Sequence, residues 1–308
     1  MSQTQLSFHQ FLTSPDNIHI RYALYGTTKV THHLILFFLG RGEWIEKYTS
    51  IYQRLYDELG STVVILDHLG QGGSGGIPSH IDSYDEYVST ITQLIRNKFR
   101  THSYSIIAHS MGGLIAIYGT LKQEFSPKRL ILSSPLAGLP QKPIPRVIAK
   151  PLSKFFTESG LAQLSTFIKT ESSYRFTKNR LTTDKEKYLI ARDNPYPIPA
   201  PTMGWVAATF AACEIIHYDR FLMNLTVPLL VFYGSDELIV SKSSIVRWTK
   251  LARKLSSSTI NLVCMQHAKH EIFFESEKIL QDALDQTIEF LVHDYRKIKS
   301  KRSTTKSP

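Results

Sequence analysis

Short apolar runs recur along the first half of the chain, each bounded by polar or turn-forming residues. Residues 18–25, 33–39, 62–67, 104–109 and 129–133 are brief and rich in Ile, Val, Leu and Phe, the pattern of buried strands. Between them lie stretches with helical spacing of apolar positions, at residues 48–59, 84–99 and 112–122. Strands that alternate with helices predict an α/β class: a mostly parallel sheet with helices on both faces.

The rhythm stops near Pro135. From there to about Phe221 the chain has many prolines, scattered aromatics and no strand series. It resumes with strand-like residues 228–233 and 259–265, a helix near 243–255 and a last helix near 276–295. The pattern predicts a core formed by residues 1–134 and 222–295, interrupted by an inserted helical cap over 135–221. Within the insert, Phe155, Phe156, Leu161, Leu164, Phe167 and Ile168 are expected to pack as the cap's own core rather than as ligand wall.

Composition narrows this picture in three ways. The chain of 308 residues is 42% hydrophobic and 20% charged, enough apolar material for a large core and too much for disorder. Net charge is +10, and the last sixteen residues carry six Lys or Arg against one Asp. Residues 296–308 therefore read as a basic flexible tail, either solubilising or drawn to anionic lipid. The two cysteines, Cys213 and Cys264, lack metal-site spacing and fit a reducing compartment. The N-terminal stretch has no signal-peptide pattern, and no apolar run approaches the roughly 18 residues of a spanning helix. The expected location is the cytoplasm, with the inner face of the cytoplasmic membrane as an open alternative.

The chemistry begins at residues 107–113, IAHSMGG. Ser110 follows the strand YSIIAH and precedes the helix GGLIAIYGTL, the context of a nucleophile elbow with pattern G-x-S-x-G. Residues two away on each side crowd such a turn and must be small. Gly112 meets that need, and Ala108 adds one methyl. The serine needs a base, and the base a carboxylate, in the chain order Ser, Asp or Glu, His. GSDELIV follows the strand LLVFY and offers Asp236 or Glu237; QHAKHEIFFE follows INLVCM and offers His267 or His270. A metal site at His267, His270 and Glu271 lacks the i, i+4 histidine spacing of zinc hydrolases. The run GQGGSG (residues 70–75) satisfies the dinucleotide fingerprint but is followed by Pro78 and a loop, where a nucleotide site needs a helix.

The segment HAKHEIFFE resembles the G-A-x-H-E-I/L-x-x-E segment of α/β-hydrolases related to monoacylglycerol lipases. That resemblance implies the α/β-hydrolase fold, assigns the base to His270 and puts His267 at a usual glycine. The family spacing G-x-x-D-x-x-V, laid on Gly234 and Val240, puts the acid at Glu237, with Asp236 as the alternative. Other segments are similar to bacterial lysophospholipases of the L-two type: GRGEWIEKY (residues 40–48), DHLGQGGSG (67–75), IAHSMGG, NRLTTD (179–184) and PTMGW (201–205). The departures are Leu39, Leu69, His267 and the acidic pair.

The resemblance implies hydrolysis of a lysophospholipid acyl ester through an acyl-enzyme on Ser110, with acyl transfer as a further option. The fold's rule assigns the oxyanion hole to the backbone N–H groups of Met111 and Arg41. The Arg41 side chain could pair with Glu43 or with a lipid phosphate. No metal or organic cofactor is required. A monoacylglycerol lipase or general carboxylesterase shares the core motifs. An inactive lipid- or partner-binding scaffold is the non-enzyme alternative. Nucleic acid is not an expected partner, since only the basic tail speaks for it.

Overall fold

A computed structural model describes residues 5–27, 33–139, 146–166 and 175–303. Among them, eight strands form one sheet in the order β1-β2-β4-β3-β5-β6-β7-β8. β1 (Leu6–Leu12) pairs antiparallel with β2 (His19–Tyr25), and β2 antiparallel with β4 (Thr62–Leu66). The remaining strands, β3 (His33–Phe38), β5 (Ser103–His109), β6 (Leu130–Ser133), β7 (Leu229–Gly234) and β8 (Ile260–Met265), continue the sheet in parallel. This is the α/β-hydrolase fold expected from the sequence. β1 was not anticipated. Its sequence, LSFHQFL, is half exposed at the sheet edge, so no continuous apolar run marks it.

Alternate residues of β3 serve two cores, as the two-residue period of a strand requires. Leu34, Leu36 and Phe38 join α2 (Tyr84–Lys98), α3 (Met111–Leu121) and α8 (Lys242–Leu255) on one face of the sheet. Ile35 and Phe37 join α1 (Thr49–Leu59) and α9 (Glu277–Ser303) on the other. α2 begins at a capping box, in which Ser83 and Glu86 satisfy each other's backbone N–H groups. α3 is buried along its whole length, which is why its sequence is apolar all round.

Between β6 and β7 the chain forms α4 (Arg146–Glu158), α5 (Lys185–Arg192), α6 (Met203–Ile215) and α7 (Asp219–Leu222). α6 is apolar on most sides because it lies between α4 and the sheet core. α4 turns the small residues Ala149 and Ser153 inward. That choice lets the helices approach, and it leaves Val147, Ile148, Leu152 and Phe155 exposed, Phe155 at 62%. The expectation that Phe155, Leu161 and Leu164 form a cap core is therefore corrected: all three face outward. Phe167 and Ile168 lie outside the described residues.

α9 runs to Ser303, beyond the expected end near Tyr295. The segment YRKIKSKRS holds no Gly or Pro, and Lys and Arg are good helix formers, so the backbone continues as helix into the stretch expected to be a flexible tail. Residues 304–308 lie outside the described residues. Among the described residues no helix is long and apolar enough to cross a membrane.

The two apolar surfaces predict opposite outcomes. Phe37 is fully buried against Tyr48, Tyr52 and Phe273. Phe37→Ala should cost about 3–5 kcal/mol in urea unfolding, whereas Phe155→Ser should stay within about 0.5 kcal/mol.

Candidate active site

β5 delivers Ser110 to the carboxyl edge of the sheet. The residue adopts φ 52° and ψ −115°, a strained conformation for a non-glycine residue, and α3 starts at the next position. Ser110 N–H donates to the Ser133 carbonyl at 3.0 Å, and Ser110's own carbonyl accepts from Leu136 N–H at 2.9 Å. Those bonds to the end of β6 hold the turn. A Cβ at Gly112 would stand 2.4 Å from the Phe38 carbonyl oxygen, so the helix start needs glycine there. Ala108 is fully buried inside β5, where its methyl is accommodated in the core.

The loop after β8 brings His270 against the serine. His270 Nε2 lies 2.9 Å from Ser110 Oγ, and Nδ1 lies 2.7 Å from Glu237 Oε2, in the loop after β7. Glu237 Oε1 accepts the N–H groups of Ile239 and Val240 at 2.6 and 3.1 Å. Asp236, the alternative acid, is turned away and its carboxylate meets Ser235 Oγ at 3.0 Å. His267 is exposed and occupies the left-handed region with φ 61°, the backbone shape for which a glycine is usual.

Electrostatics favours a polarised chain of three groups. Burial opposes charge on Glu237, but His270 and the two backbone donors outweigh it and hold the carboxyl below its ordinary pKa. Burial likewise opposes protonation of His270; the Glu237 carboxylate outweighs it, with help from Glu271 and Glu43, and raises the imidazole above its usual value. An ionised carboxylate can only accept, so Nδ1 carries the hydrogen and Nε2 is free to accept the serine proton. Such an arrangement can activate a hydroxyl and stabilise the imidazolium that results.

A second buried polar cluster lies under His270. Lys47 Nζ donates to Glu43 Oε1 at 2.8 Å and to Glu271 Oε1 at 2.7 Å. Glu43 also accepts from Tyr48 Oη and from Gly40 N–H. Burial works against its ionisation, yet the Lys47 ammonium, with the hydrogen bonds from Lys47 and Tyr48, brings its pKa down to about 2. Glu271 is pushed up by burial, which the same ammonium only partly offsets. The His109 ring lies tilted against that of His270, 4.7 Å centroid to centroid, and burial lowers its pKa to about 4, so its ring is neutral. Glu43, His109 and Glu271 have the donor types and proximity of a metal site. The Lys47 ammonium, however, already bridges both carboxylates.

These groups border a cavity of about 230 Å³ with Ser110 and His270 in its wall and Leu136, Trp205, Ile198 and Ile239 among its apolar lining. Met111 and Arg41 line it too. Among the described residues neither backbone N–H donates to another group. The Arg41 loop is braced by its neighbours: Gly42 N–H donates to Gln71 Oε1 at 2.7 Å, and Asn194 donates to the Gly42 carbonyl at 2.8 Å. Gln71 belongs to the glycine run, which forms a turn-rich loop with no helix before Tyr84. The pairing of Arg41 with Glu43 is not formed. Lys47 stands four residues after Glu43, one helical turn, and takes that carboxylate.

The segment between β6 and β7 also reaches the site. His270 N–H and Glu271 N–H donate to the carbonyls of Arg180 and Leu181 at 3.3 and 2.8 Å. Asn179 Oδ1 shapes that strand of contacts by accepting from the N–H groups of Leu181 and Thr182. Sequence reasoning marked GRGEWIEKY and NRLTTD as family features but assigned no role to Lys47, Glu271, His109 or Asn179. The available signal was a Glu–Lys pair at i, i+4 among apolar residues, which suggests a buried ion pair.

Removing the shared ammonium leaves two buried carboxyls without their cation. Lys47→Met should destabilise the fold by about 3–5 kcal/mol, read by denaturant unfolding. Adding Glu271→Gln should restore part of that loss. A double variant no more stable than the single one would assign the effect to packing.

Comparison with known proteins places the site in a family. The family model Hydrolase_4, described as "Serine aminopeptidase, S33", matches residues 29–277. "Probable lysophospholipase L2" of Haemophilus influenzae is 27% identical over 298 residues, 92% of this chain and 91% of its own. "Phospholipase YtpA" of Bacillus subtilis is 27% identical over 252 residues, 80% of this chain and 90% of its own. A solved monoglyceride lipase from Saccharomyces cerevisiae, a soluble variant in complex with a substrate analog, superposes with TM-score 0.74 at 17% identity. It covers 94% of this chain and 97% of its own, and shares the fold. Because the family match runs from β3 to β8 and takes in the intervening helices and all three residues of the hydrogen-bonded chain, the protein belongs to the Hydrolase_4 family and is a serine hydrolase of the α/β-hydrolase fold.

Proposed function

We propose that the protein cleaves the acyl ester of a lysophospholipid, with Ser110 as nucleophile, His270 as general base and Glu237 as the orienting acid. The observation that carries this reading is the unbroken chain Ser110–His270–Glu237, at 2.9 and 2.7 Å, in the wall of a cavity whose lining is partly apolar. The names of the relatives aligned along most of the chain, a probable lysophospholipase and a phospholipase, support the lipid class.

His270 Nε2 takes the Ser110 proton as Oγ attacks the ester carbonyl. The oxyanion is held by the Met111 and Arg41 N–H groups, at the start of α3 and after β3. His270 then protonates the leaving glycerol oxygen, and the acyl group remains on Ser110. Water, or the hydroxyl of a second lipid, gives its proton to His270 as it attacks the acyl carbonyl; His270 returns that proton to Ser110 Oγ as the acyl group leaves as acid or as new ester. Residues 135–221 act as a cap that excludes water and receives the acyl chain, whose burial contributes about 0.8 kcal/mol per methylene. The exposed apolar face of α4 supports delivery of the substrate from a lipid surface.

A second reading, a monoacylglycerol lipase, draws on the fold likeness to the solved monoglyceride lipase. A panel of lysophosphatidylethanolamine and monoacylglycerol of equal chain length separates the two. Faster turnover of the phospholipid supports the proposal; the reverse order overturns the substrate and leaves the mechanism. Covalent labelling of Ser110 by a fluorophosphonate excludes an inactive scaffold.

Ser110→Ala should lower kcat by about 10⁴-fold or more, and Glu237→Gln by about 10³- to 10⁴-fold. Asp236→Asn should cost less than about tenfold, since its carboxylate does not meet the imidazole. Equal losses at the two carboxylates would mean the acid is misassigned. The active base is neutral His270, so kcat/KM should be low in acid and rise with pH. The midpoint should lie above the ordinary imidazole value of 6.5, because the folded-state pKa is raised. Glu237→Gln should move the midpoint of the residual activity down; a midpoint that does not move would remove Glu237 as the cause.

A further inference from the structure

Arg41 carries a charge that no carboxylate of the described residues offsets. Its Nη2 donates to Ser79 Oγ at 3.1 Å and to the Pro199 carbonyl at 2.6 Å. The guanidinium lies 5.6 Å from the centre of the Trp205 ring. Nε is buried without a hydrogen-bond partner, and Nη1 has none among the described residues. The nearby acids are committed elsewhere, since Glu43 and Glu271 share the Lys47 ammonium. Burial lowers the Arg41 pKa to about 10, which still leaves a full cation at neutral pH.

Arg41 is half-buried, and a cation partly withdrawn from water without a counter-ion is costly; neutral donors and an aromatic face offset only part of that. A ligand that brings an anion offsets the remainder. Guanidinium suits phosphate, because its planar fork can give two parallel charge-assisted hydrogen bonds. Position supplies the second argument. Arg41 lines the same cavity as Ser110 and His270. Its backbone N–H is one of the two donors proposed for the oxyanion, so its side chain extends from the place where an ester carbonyl would sit. In a monoacyl glycerophospholipid the ester and the phosphate are separated by glycerol, a span comparable with an arginine side chain. Arg192 also lines the cavity, but it is exposed and paired with Asp193.

We infer that the Arg41 side chain is the subsite for the headgroup phosphate of a monoacyl glycerophospholipid, placed beside Ser110 by the same residue that binds the oxyanion. The inference rests on the lysophospholipid reading and deepens it: one side chain separates phospholipid from neutral monoacylglycerol.

The test compares wild type, Arg41→Gln and Arg41→Lys on lysophosphatidylethanolamine and on monoacylglycerol of the same chain length, with thermal unfolding to confirm that each variant is folded. The ratio of kcat/KM for phospholipid over monoacylglycerol should fall by about ten- to hundredfold in Arg41→Gln, the value of a lost charge-assisted hydrogen bond. Arg41→Lys should retain part of the ratio as a point charge. An equal loss on both lipids overturns the subsite and assigns Arg41 to shaping the loop. A separate arm uses p-nitrophenyl butyrate, with glycerol 3-phosphate and inorganic phosphate as inhibitors. Competitive inhibition by glycerol 3-phosphate that weakens in Arg41→Gln supports the subsite, even if wild type fails to cleave the phospholipid and the proposed function falls. Inhibition by inorganic phosphate as strong as by glycerol 3-phosphate, or no inhibition by either, overturns the headgroup assignment.

Discussion

Between the end of β3 and the loop after β8 sits one ammonium, that of Lys47, shared by the carboxylates of Glu43 and Glu271. Glu43 lies in the loop that carries the Arg41 N–H, and Glu271 directly follows His270. The ammonium therefore ties the loop that carries Arg41 to the loop that brings His270 against Ser110. All three side chains are nearly excluded from water. In such surroundings each charge is expensive alone, so the two loops are held together by the cost of separating them. Glu43 reinforces the tie by accepting from Gly40 N–H and Tyr48 Oη.

The parallel sheet supplies the other half of the geometry. β5, β6, β7 and β8 are neighbours in register, so their carboxyl ends open on one edge. Ser110, Glu237 and His270 leave that edge from loops far apart in sequence and meet within hydrogen-bond distance. Strain at Ser110 is absorbed by bonds to Ser133 and Leu136 at the end of the adjacent β6. The helical segment between β6 and β7 completes the frame from above, through the Arg180 and Leu181 carbonyls that receive the His270 and Glu271 N–H groups. His270 is thus held by the loops of the sheet on one side and by the segment between β6 and β7 on the other.

Much of this was legible because it is local. The strand runs carry enough Val, Ile, Leu and Phe to announce buried parallel strands, and their ends agree with the observed ones to within a residue or so. The elbow was legible because Ser110 stands between a strand and a helix with Gly112 behind it. Less legible were features with two-sided chemistry. β1 mixes polar and apolar positions at an edge. α4 places its aromatic Phe155 outward because Ala149 and Ser153 make the closer contact. The helix over the start of the basic tail was hidden by its charge, although Lys and Arg do not oppose helix.

From the chain alone came the α/β alternation, the interruption after Pro135, the serine at a strand-to-helix turn and two short lists of partners: Asp236 or Glu237, His267 or His270. A resemblance to known segments ordered those lists. Only the folded chain decided which atoms meet, because the choice between adjacent residues depends on loop direction, and loop direction is set by contacts distant in sequence. Glu237 turns inward because the Ile239 and Val240 N–H groups and the His270 ring receive its carboxylate, while Asp236 faces Ser235. Likewise, Glu43 stands two residues from Arg41 and yet belongs to Lys47, whose second carboxylate comes from the far end of the chain. That tertiary pairing is what leaves Arg41, among the described residues, a cation without a counter-ion beside the serine.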